Sequence, residues 1–366
     1  MKVEHYDKGF KIVSLAKNET VVEDLNQSEL DFIYLNNGKL FLFPGNIQLI
    51  VNDATIGELN KWNNYDVFEI FENGKLINCY DDSSIDNYFF VSGKCNSNCI
   101  MCPTPDILRK TGENTDVEHL IEMAKHIPSD TVHLTVTGGE PFMIGESIFE
   151  FFEYLKYKFE ETGFLILTNG RIFAVEKYVS RMKEVIPNDC IIGIPIHGAS
   201  TEIHDSITQA PGSFNQTITG IKRLLAAGIR VELRWVACGL NIQDFVNMAN
   251  LVVQELSGIE YVSIMATEMT GSAYVNKNQV WVPYREVFSS LEKAIDILVE
   301  NAIDVKLYNF PLCTVKKRFW TLCEKSISPN KVRYAKVCDD CKMKSSCGGI
   351  FAGTFLLEKE ELETVI

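Results

Sequence analysis

The chain has 366 residues, 46% hydrophobic and 23% charged, which leaves room for one large domain and a smaller one with a proper core. Its formal net charge is -14 and its pI about 5.0. A surface that acidic repels phosphate backbones, which argues against general nucleic-acid or anionic-membrane binding.

From the start, Met1–Thr20 carries charges throughout and has no apolar signal segment. No later stretch reaches the roughly 18 consecutive apolar residues of a membrane span. The expectation is a cytoplasmic protein. Residues 1–87 hold short alternating or aromatic runs at Gly9–Leu15, Asp31–Leu35, Lys39–Phe43, Gln48–Val51 and Val67–Phe71. Turn signals separate them, among them Asn36-Asn37-Gly38, Pro44-Gly45 and Asn73-Gly74. They predict a small β-rich domain, with Asp81–Ser84 as a linker to the next domain.

From Tyr88 the rhythm changes to alternating strands and helices. Strands are predicted at Tyr88–Val91, Thr131–Val136, Phe164–Leu167, Ile191–Ile196, Arg230–Ala237 and Tyr261–Ala266. Helices are predicted at Asp116–Ile127, Ser147–Glu161, Val175–Val185, Phe214–Ala227, Ile242–Leu256 and Tyr284–Asn301. Six βα units give an α/β fold, a partial (β/α)6 TIM-like barrel over 88–305, too few for an eight-fold closure. Residues 306–366, rich in cysteine, form a third, cluster-binding segment. In parallel sheets of this kind the chemistry sits at the carboxyl ends of the strands.

In a reducing compartment, grouped cysteines point to metal ligation rather than disulfides. Of the eleven cysteines, two groups stand out. The first, Cys95, Cys99 and Cys102, lies in a loop after the first barrel strand. Three thiolates in a short loop can wrap one iron-sulfur cubane and leave one iron with an open position. A zinc loop short of its fourth ligand, or three reduced core thiols, is the plainer alternative. The second group is Cys338, Cys341 and Cys347, with Cys313 as the natural fourth ligand and Cys323 either a substitute or a spare. Four thiols make a closed site that suits zinc or a second cluster, and the Cys-x-x-Cys spacing by itself slightly favours zinc. Cys79, Cys190 and Cys238 stand alone and read as structural thiols.

Other strand ends carry polar or glycine-rich runs. Gly138-Gly139-Glu140-Pro141 ends the second strand; the glycines let a backbone come close to a ligand, and the carboxylate suits an ammonium group. Thr168-Asn169-Gly170-Arg171 ends the third and is either an ordinary turn or a polar lining. His197 ends the fourth. Arg234 lies inside the fifth, where a charge needs a partner such as Glu140, Glu232 or a ligand carboxylate. Glu268 follows the sixth. Asp205 and Ser213 read as capping residues.

The Cys95-x3-Cys99-x2-Cys102 loop, followed one βα unit later by Gly138–Pro141, resembles the radical S-adenosylmethionine (SAM) superfamily. The resemblance implies that Cys95, Cys99 and Cys102 hold a catalytic [4Fe-4S] cluster whose open iron chelates SAM. It implies that one electron then cleaves SAM to a 5′-deoxyadenosyl radical. It further implies that the Gly138-Gly139-Glu140-Pro141 run contacts the SAM amino group; Thr168, Asn169, His197 and Arg234 are further candidates for lining the SAM site. One departure is Met101, where superfamily members often have an aromatic residue; a polarizable side chain can still cover a cluster.

His197-Gly198, Pro211-Gly212-Ser213-Phe214, Phe310-Pro311-Leu312-Cys313 and Cys347-Gly348-Gly349 resemble more narrowly the His-Xaa-Ser system radical SAM maturases. That resemblance implies an auxiliary [4Fe-4S] cluster, rather than zinc, on Cys313, Cys338, Cys341 and Cys347 in a SPASM/twitch-like segment. It also implies a ribosomally synthesised precursor peptide as substrate, a partner maturase, and an electron donor such as flavodoxin or ferredoxin. Two other readings stay open: a radical SAM enzyme for a small molecule or nucleotide, and a non-catalytic zinc-binding interaction protein.

Overall fold

A computed structural model describes residues 1–366. Its first seven strands are β1 (Val3–Glu4), β2 (Lys11–Ala16), β3 (Phe32–Asn36), β4 (Lys39–Phe43), β5 (Ile47–Val51), β6 (Val67–Ile70) and β7 (Leu76–Tyr80). They form one sheet in the order β1-β5-β4-β3-β2-β6-β7. The Asn-Asn-Gly signal makes the β3–β4 hairpin: Asn37 and Gly38 both have positive φ, as a tight hairpin turn requires. A bridge between Lys2 and Lys75 brings β1 round toward β7, so the sheet curls about a core that includes Val13, Leu15, Ile33, Leu40 and Phe68.

This part is less purely β than its composition predicts. Strands β2 and β3 run parallel, and parallel neighbours need a crossover. The helix Glu19–Gln27 supplies it, capped by Asn18, whose side chain accepts the Val21 N–H at 3.0 Å. Only Val21 and Leu25 of that helix are buried, too thin a stripe to stand out by periodicity. A second short helix, Asp53–Leu59, is capped in the same way by Asn52.

The second sheet contains β8 (Tyr88–Ser92), β9 (His133–Gly138), β10 (Gly163–Leu167), β11 (Asp189–Pro195), β12 (Val231–Val236), β13 (Tyr261–Met265), β14 (Asp304–Tyr308) and β15 (Cys323–Glu324). They pair in strict sequence and all run parallel, with β8 and β15 at the open edges. The six strands read from the sequence are all present, and the sheet continues two strands further. Strand β14 crosses the boundary expected at residue 305, so the cysteine-rich segment grows directly out of the sheet edge. With only Val305 and Leu307 buried, β14 gives a weak apolar signal. A last antiparallel pair, β16 (Val332–Arg333) and β17 (Ile350–Phe351), belongs to that segment.

Helices cover the outer face of the parallel sheet, where Trp235 stacks on Phe245 and Phe89 meets Phe151 edge-on. Each large apolar side chain buried here contributes about 1.5–3 kcal/mol. The same continuous core takes in Ile12, Val67 and Tyr80 from the first sheet, which packs against the helix Val117–His126. Polar contacts tie the seam: Ser14 Oγ lies 2.9 Å from His126 Nδ1, and His119 pairs with Glu69 at 2.8 Å.

Candidate active site

The cysteine loop leaves the carboxyl end of β8 and is held from several sides. The Cys95 N–H donates to the Arg109 carbonyl at 3.3 Å. The Asn98 and Ile100 N–H groups donate to the Thr208 and Ile207 carbonyls at the end of the helix Thr201–Thr208. The Cys102 carbonyl accepts from the Ser272 N–H at 3.0 Å. Ser272 can come that close because residue 271 is glycine: it has a positive φ, and a Cβ there would collide with the Pro103 carbonyl. The Ser97 N–H points at Cys95 Sγ, 3.4 Å away. Burial pushes the Cys95 thiol up to about 11 and the Cys99 thiol up to about 12; the Arg109 charge pulls both the other way. Met101 is buried in an apolar wall with Ile207, Cys238, Met269, Ala273 and Val280.

The Gly138–Pro141 run has a backbone reason as well as a ligand one. The Gly139 N–H donates to the Ser92 carbonyl at 2.7 Å, and the Glu140 N–H donates to the Lys94 carbonyl at 2.8 Å. A Cβ on Gly138 would strike Ser92, and one on Gly139 would strike Lys94. The two glycines therefore let the end of β9 dock on the start of the cysteine loop.

Glu140 is buried and turned toward the next strand end. Its carboxylate accepts from the Thr168 hydroxyl at 2.7 Å, the Asn169 N–H at 2.7 Å and the Phe142 N–H at 3.2 Å. Burial pushes its pKa up, and those donors oppose the shift. Asn169 and Arg171 then reach back to the cysteine loop. Asn169 Nδ2 donates to Asn96 Oδ1, and Arg171 Nη1 donates to the Asn96 carbonyl, each at 2.6 Å. Strand ends β8, β9 and β10 thus form one hydrogen-bonded unit around the first three cysteines.

The remaining predicted positions fall elsewhere on the sheet. His197 is buried and stacks on His204, whose Nδ1 accepts the His197 N–H at 3.2 Å. Burial lowers His197 well below the ordinary imidazole range and His204 to about 4, so both rings are neutral at pH 7. Of the partners weighed for Arg234, the one it has is Glu232, at 2.7 Å inside the barrel. Glu268 is half-buried, and burial pushes its pKa up. Asp205 and Ser213 are not the caps read from the sequence: Gly212 is the N-cap of the helix Ser213–Ala226, Ser213 is its first residue, and Asp205, inside the helix Thr201–Thr208, accepts from the Gly212 and Phe214 N–H groups and the Ser213 hydroxyl.

At the far edge of the sheet, Cys313, Cys338, Cys341 and Cys347 line one small, mostly apolar cavity, with Tyr334 and Val365 among its other walls. Backbone N–H groups point at the sulfurs: Leu312 and Gly349 at Cys347, Val365 at Cys341, each at 3.4 Å. Cys323 is not in this lining; its thiol donates weakly to the Phe319 carbonyl. No three His, Cys, Asp or Glu side chains converge tightly enough to enclose a single ion; the four thiols stand around a cavity instead. Soft thiol donors with N–H groups on their sulfurs are chemistry that fits an iron-sulfur group.

Sequence reasoning missed two residues that shape the first site. Arg109 is almost fully buried and bonds to Asn98, Thr104 and Ser272. Ser272 holds Cys102, while Met269, three residues earlier, donates its N–H to Thr354 Oγ1 in the C-terminal segment. A charged residue soon after the cysteines was the only visible signal for Arg109, and Ser272 had none.

Residues 89–252 match the radical SAM superfamily. Among curated proteins, the chain is 27% identical over 165 residues to the antilisterial bacteriocin subtilosin biosynthesis protein AlbA of Bacillus subtilis, covering 45% of this chain and 36% of AlbA. It is 24% identical over 195 residues to the GTP 3′,8-cyclase of Desulforamulus reducens, covering 50% of this chain and 58% of the cyclase. Among solved structures, Streptococcus suis SuiB bound to its precursor peptide SuiA superposes with a TM-score of 0.52 at 12% identity, over 79% of this chain and 60% of SuiB. The match thus spans only part of each relative's length. The matched stretch holds the cysteine loop and the strands β9 to β12 of the parallel sheet, and enzymes of that superfamily use a [4Fe-4S] cluster and SAM. No helix is long and apolar enough to cross a membrane.

Proposed function

We propose that this chain, whose residues 89–252 match the radical SAM superfamily, is a radical SAM maturase that modifies a ribosomally synthesised precursor peptide. In this reading Cys95, Cys99 and Cys102 hold the catalytic [4Fe-4S] cluster, and Cys313, Cys338, Cys341 and Cys347 hold an auxiliary one. When bound, the first cluster supplies the electron that cleaves SAM and so the radical that abstracts a substrate hydrogen. The chain's own residues do the placing. Gly138 and Gly139 set the β9 end against the cysteine loop; Glu140 fixes Thr168 and Asn169; Asn169 and Arg171 fix Asn96. Pro141 starts the turn that closes this end, and Arg234, held by Glu232, faces the barrel interior with its charge oriented. His197 and His204 keep the β11 end neutral and rigid.

The observation that carries the reading is the pairing of a three-thiol loop in a radical SAM domain with a separate four-thiol cavity. The biosynthetic role in AlbA's name and the precursor peptide bound to SuiB support a peptide substrate. The division into 1–87, 88–305 and 306–366 gives the first part the task of holding the peptide, by strand addition at the open part of β7. Ile77→Lys, a charge on that edge, is expected to weaken precursor binding; unchanged affinity would sink this assignment. The cyclase similarity supports a second reading, a nucleotide substrate. Anaerobic, dithionite-driven 5′-deoxyadenosine formation tests both: stimulation by precursor peptide supports the maturase, and stimulation by GTP alone supports the nucleotide enzyme. A flavodoxin or ferredoxin would replace dithionite in the cell.

A further inference from the structure

We infer that Arg109 is the built-in counter-charge of the first cysteine site, a positioning residue that offsets the negative charge of a thiolate-bound iron-sulfur group. The inference rests on the reading of Cys95, Cys99 and Cys102 as cluster ligands.

The guanidinium is 3% exposed. A charge removed from water needs an opposite charge and full hydrogen bonding. Arg109 has the hydrogen bonds on one side only. Nη1 donates to the Thr104 carbonyl at 2.8 Å; Nη2 donates to Asn98 Oδ1 at 2.6 Å and Ser272 Oγ at 3.0 Å. All three acceptors are neutral, and Nε has no partner. The nearest carboxylate, Asp106, stands at 3.7 Å without a hydrogen bond and is itself paired with Lys110 at 2.7 Å. The positive charge is therefore under-compensated within the protein.

Its surroundings say what compensates it. Arg109 sits on the short helix Asp106–Thr111 directly after the cysteine loop, and its own carbonyl accepts the Cys95 N–H. Its side-chain contacts flank the other two cysteines: Asn98 precedes Cys99, and Thr104 follows Cys102 by two residues. Ser272, its third contact, holds the Cys102 carbonyl. Arg109 thus meets the loop at all three thiol positions, by its backbone carbonyl at Cys95 and by its guanidinium beside Cys99 and Cys102. Three thiolates around an iron-sulfur group carry the anionic charge that this cation lacks. Reduction by one electron adds a further negative charge, so a fixed cation here favours the reduced state. Without it the site is harder to reduce.

The test uses the full chain, reconstituted anaerobically, with the potential of the SAM-responsive EPR signal measured by redox titration. Arg109→Gln is expected to shift the oxidised-to-reduced ratio at fixed potential by tenfold or more toward oxidised, a fall of about 59 mV for a one-electron couple. Arg109→Lys keeps the charge and is expected to stay near wild type. An unchanged potential in Arg109→Gln with iron bound overturns the inference, as does an equal fall in Arg109→Lys, which would make the guanidinium's geometry the cause. If Arg109→Gln binds no iron while Arg109→Lys does, the charge requirement stands; if neither binds iron, it falls. Wild-type protein that binds no iron in this loop would instead defeat the functional reading beneath.

Discussion

The two cysteine sites are built by opposite means. The first is eight residues of one loop, presenting three thiols and shaped almost entirely by other elements: the ends of β9 and β10, the helix Thr201–Thr208, Arg109 and Ser272. The second draws four thiols from separated stretches of chain around a cavity, and its own backbone N–H groups address the sulfurs. A site with three protein ligands keeps a position for substrate and needs outside support for its shape. A four-ligand site closes on itself. The difference is why the proposed reading gives SAM chemistry to the first and electron storage or structure to the second.

Several substitutions would break or sharpen that contrast. The largest expected effect is Cys99→Ala: 5′-deoxyadenosine formation falls to background, while roughly half the iron absorbance near 400 nm survives on the second site. Retained SAM cleavage would contradict the assignment. Cys341→Ala is expected to do the reverse, removing the second site's absorbance while SAM cleavage without substrate persists. Loss of both would mean that the second site supports the first structurally. Gly139→Ala is expected to cost about 1–3 kcal/mol, because its Cβ would meet the Lys94 carbonyl; urea unfolding checks this, and an unchanged midpoint would mean the two loop ends move apart freely.

An effect of similar size is in pH dependence. In the unfolded chain His204 takes up a proton as pH falls through about 6.5, but in the fold only near 4, because burial disfavours the charged ring. The unfolded state therefore binds more protons in that window. Stability present above pH 6.5 is lost toward pH 4, by about 1–3 kcal/mol. His204→Gln is expected to flatten this part of the stability profile; an unchanged slope would place the titration elsewhere.

Much of this was legible in the sequence because its signals are local. The Cys95–Cys102 spacing, the Gly138-Gly139 pair and six of the parallel strands are patterns of neighbouring residues. The Asn37-Gly38 hairpin is also local and forms as read. What was not legible depends on distant contacts. Strand β14 and the helix Glu19–Gln27 bury two residues each and are fixed by what they pack against. Arg109 and Ser272 are 163 positions apart, and their meeting is a property of the fold. The ligand reading of the two glycines was incomplete for the same reason, since the backbone they approach belongs to another strand end.

The most direct test is anaerobic iron and sulfide analysis of reconstituted protein, wild type against the variant with Cys95, Cys99 and Cys102 all changed to Ala. The account predicts about eight irons falling to about four. No iron in either protein, with zinc in its place, would contradict it and leave a metal-binding interaction protein.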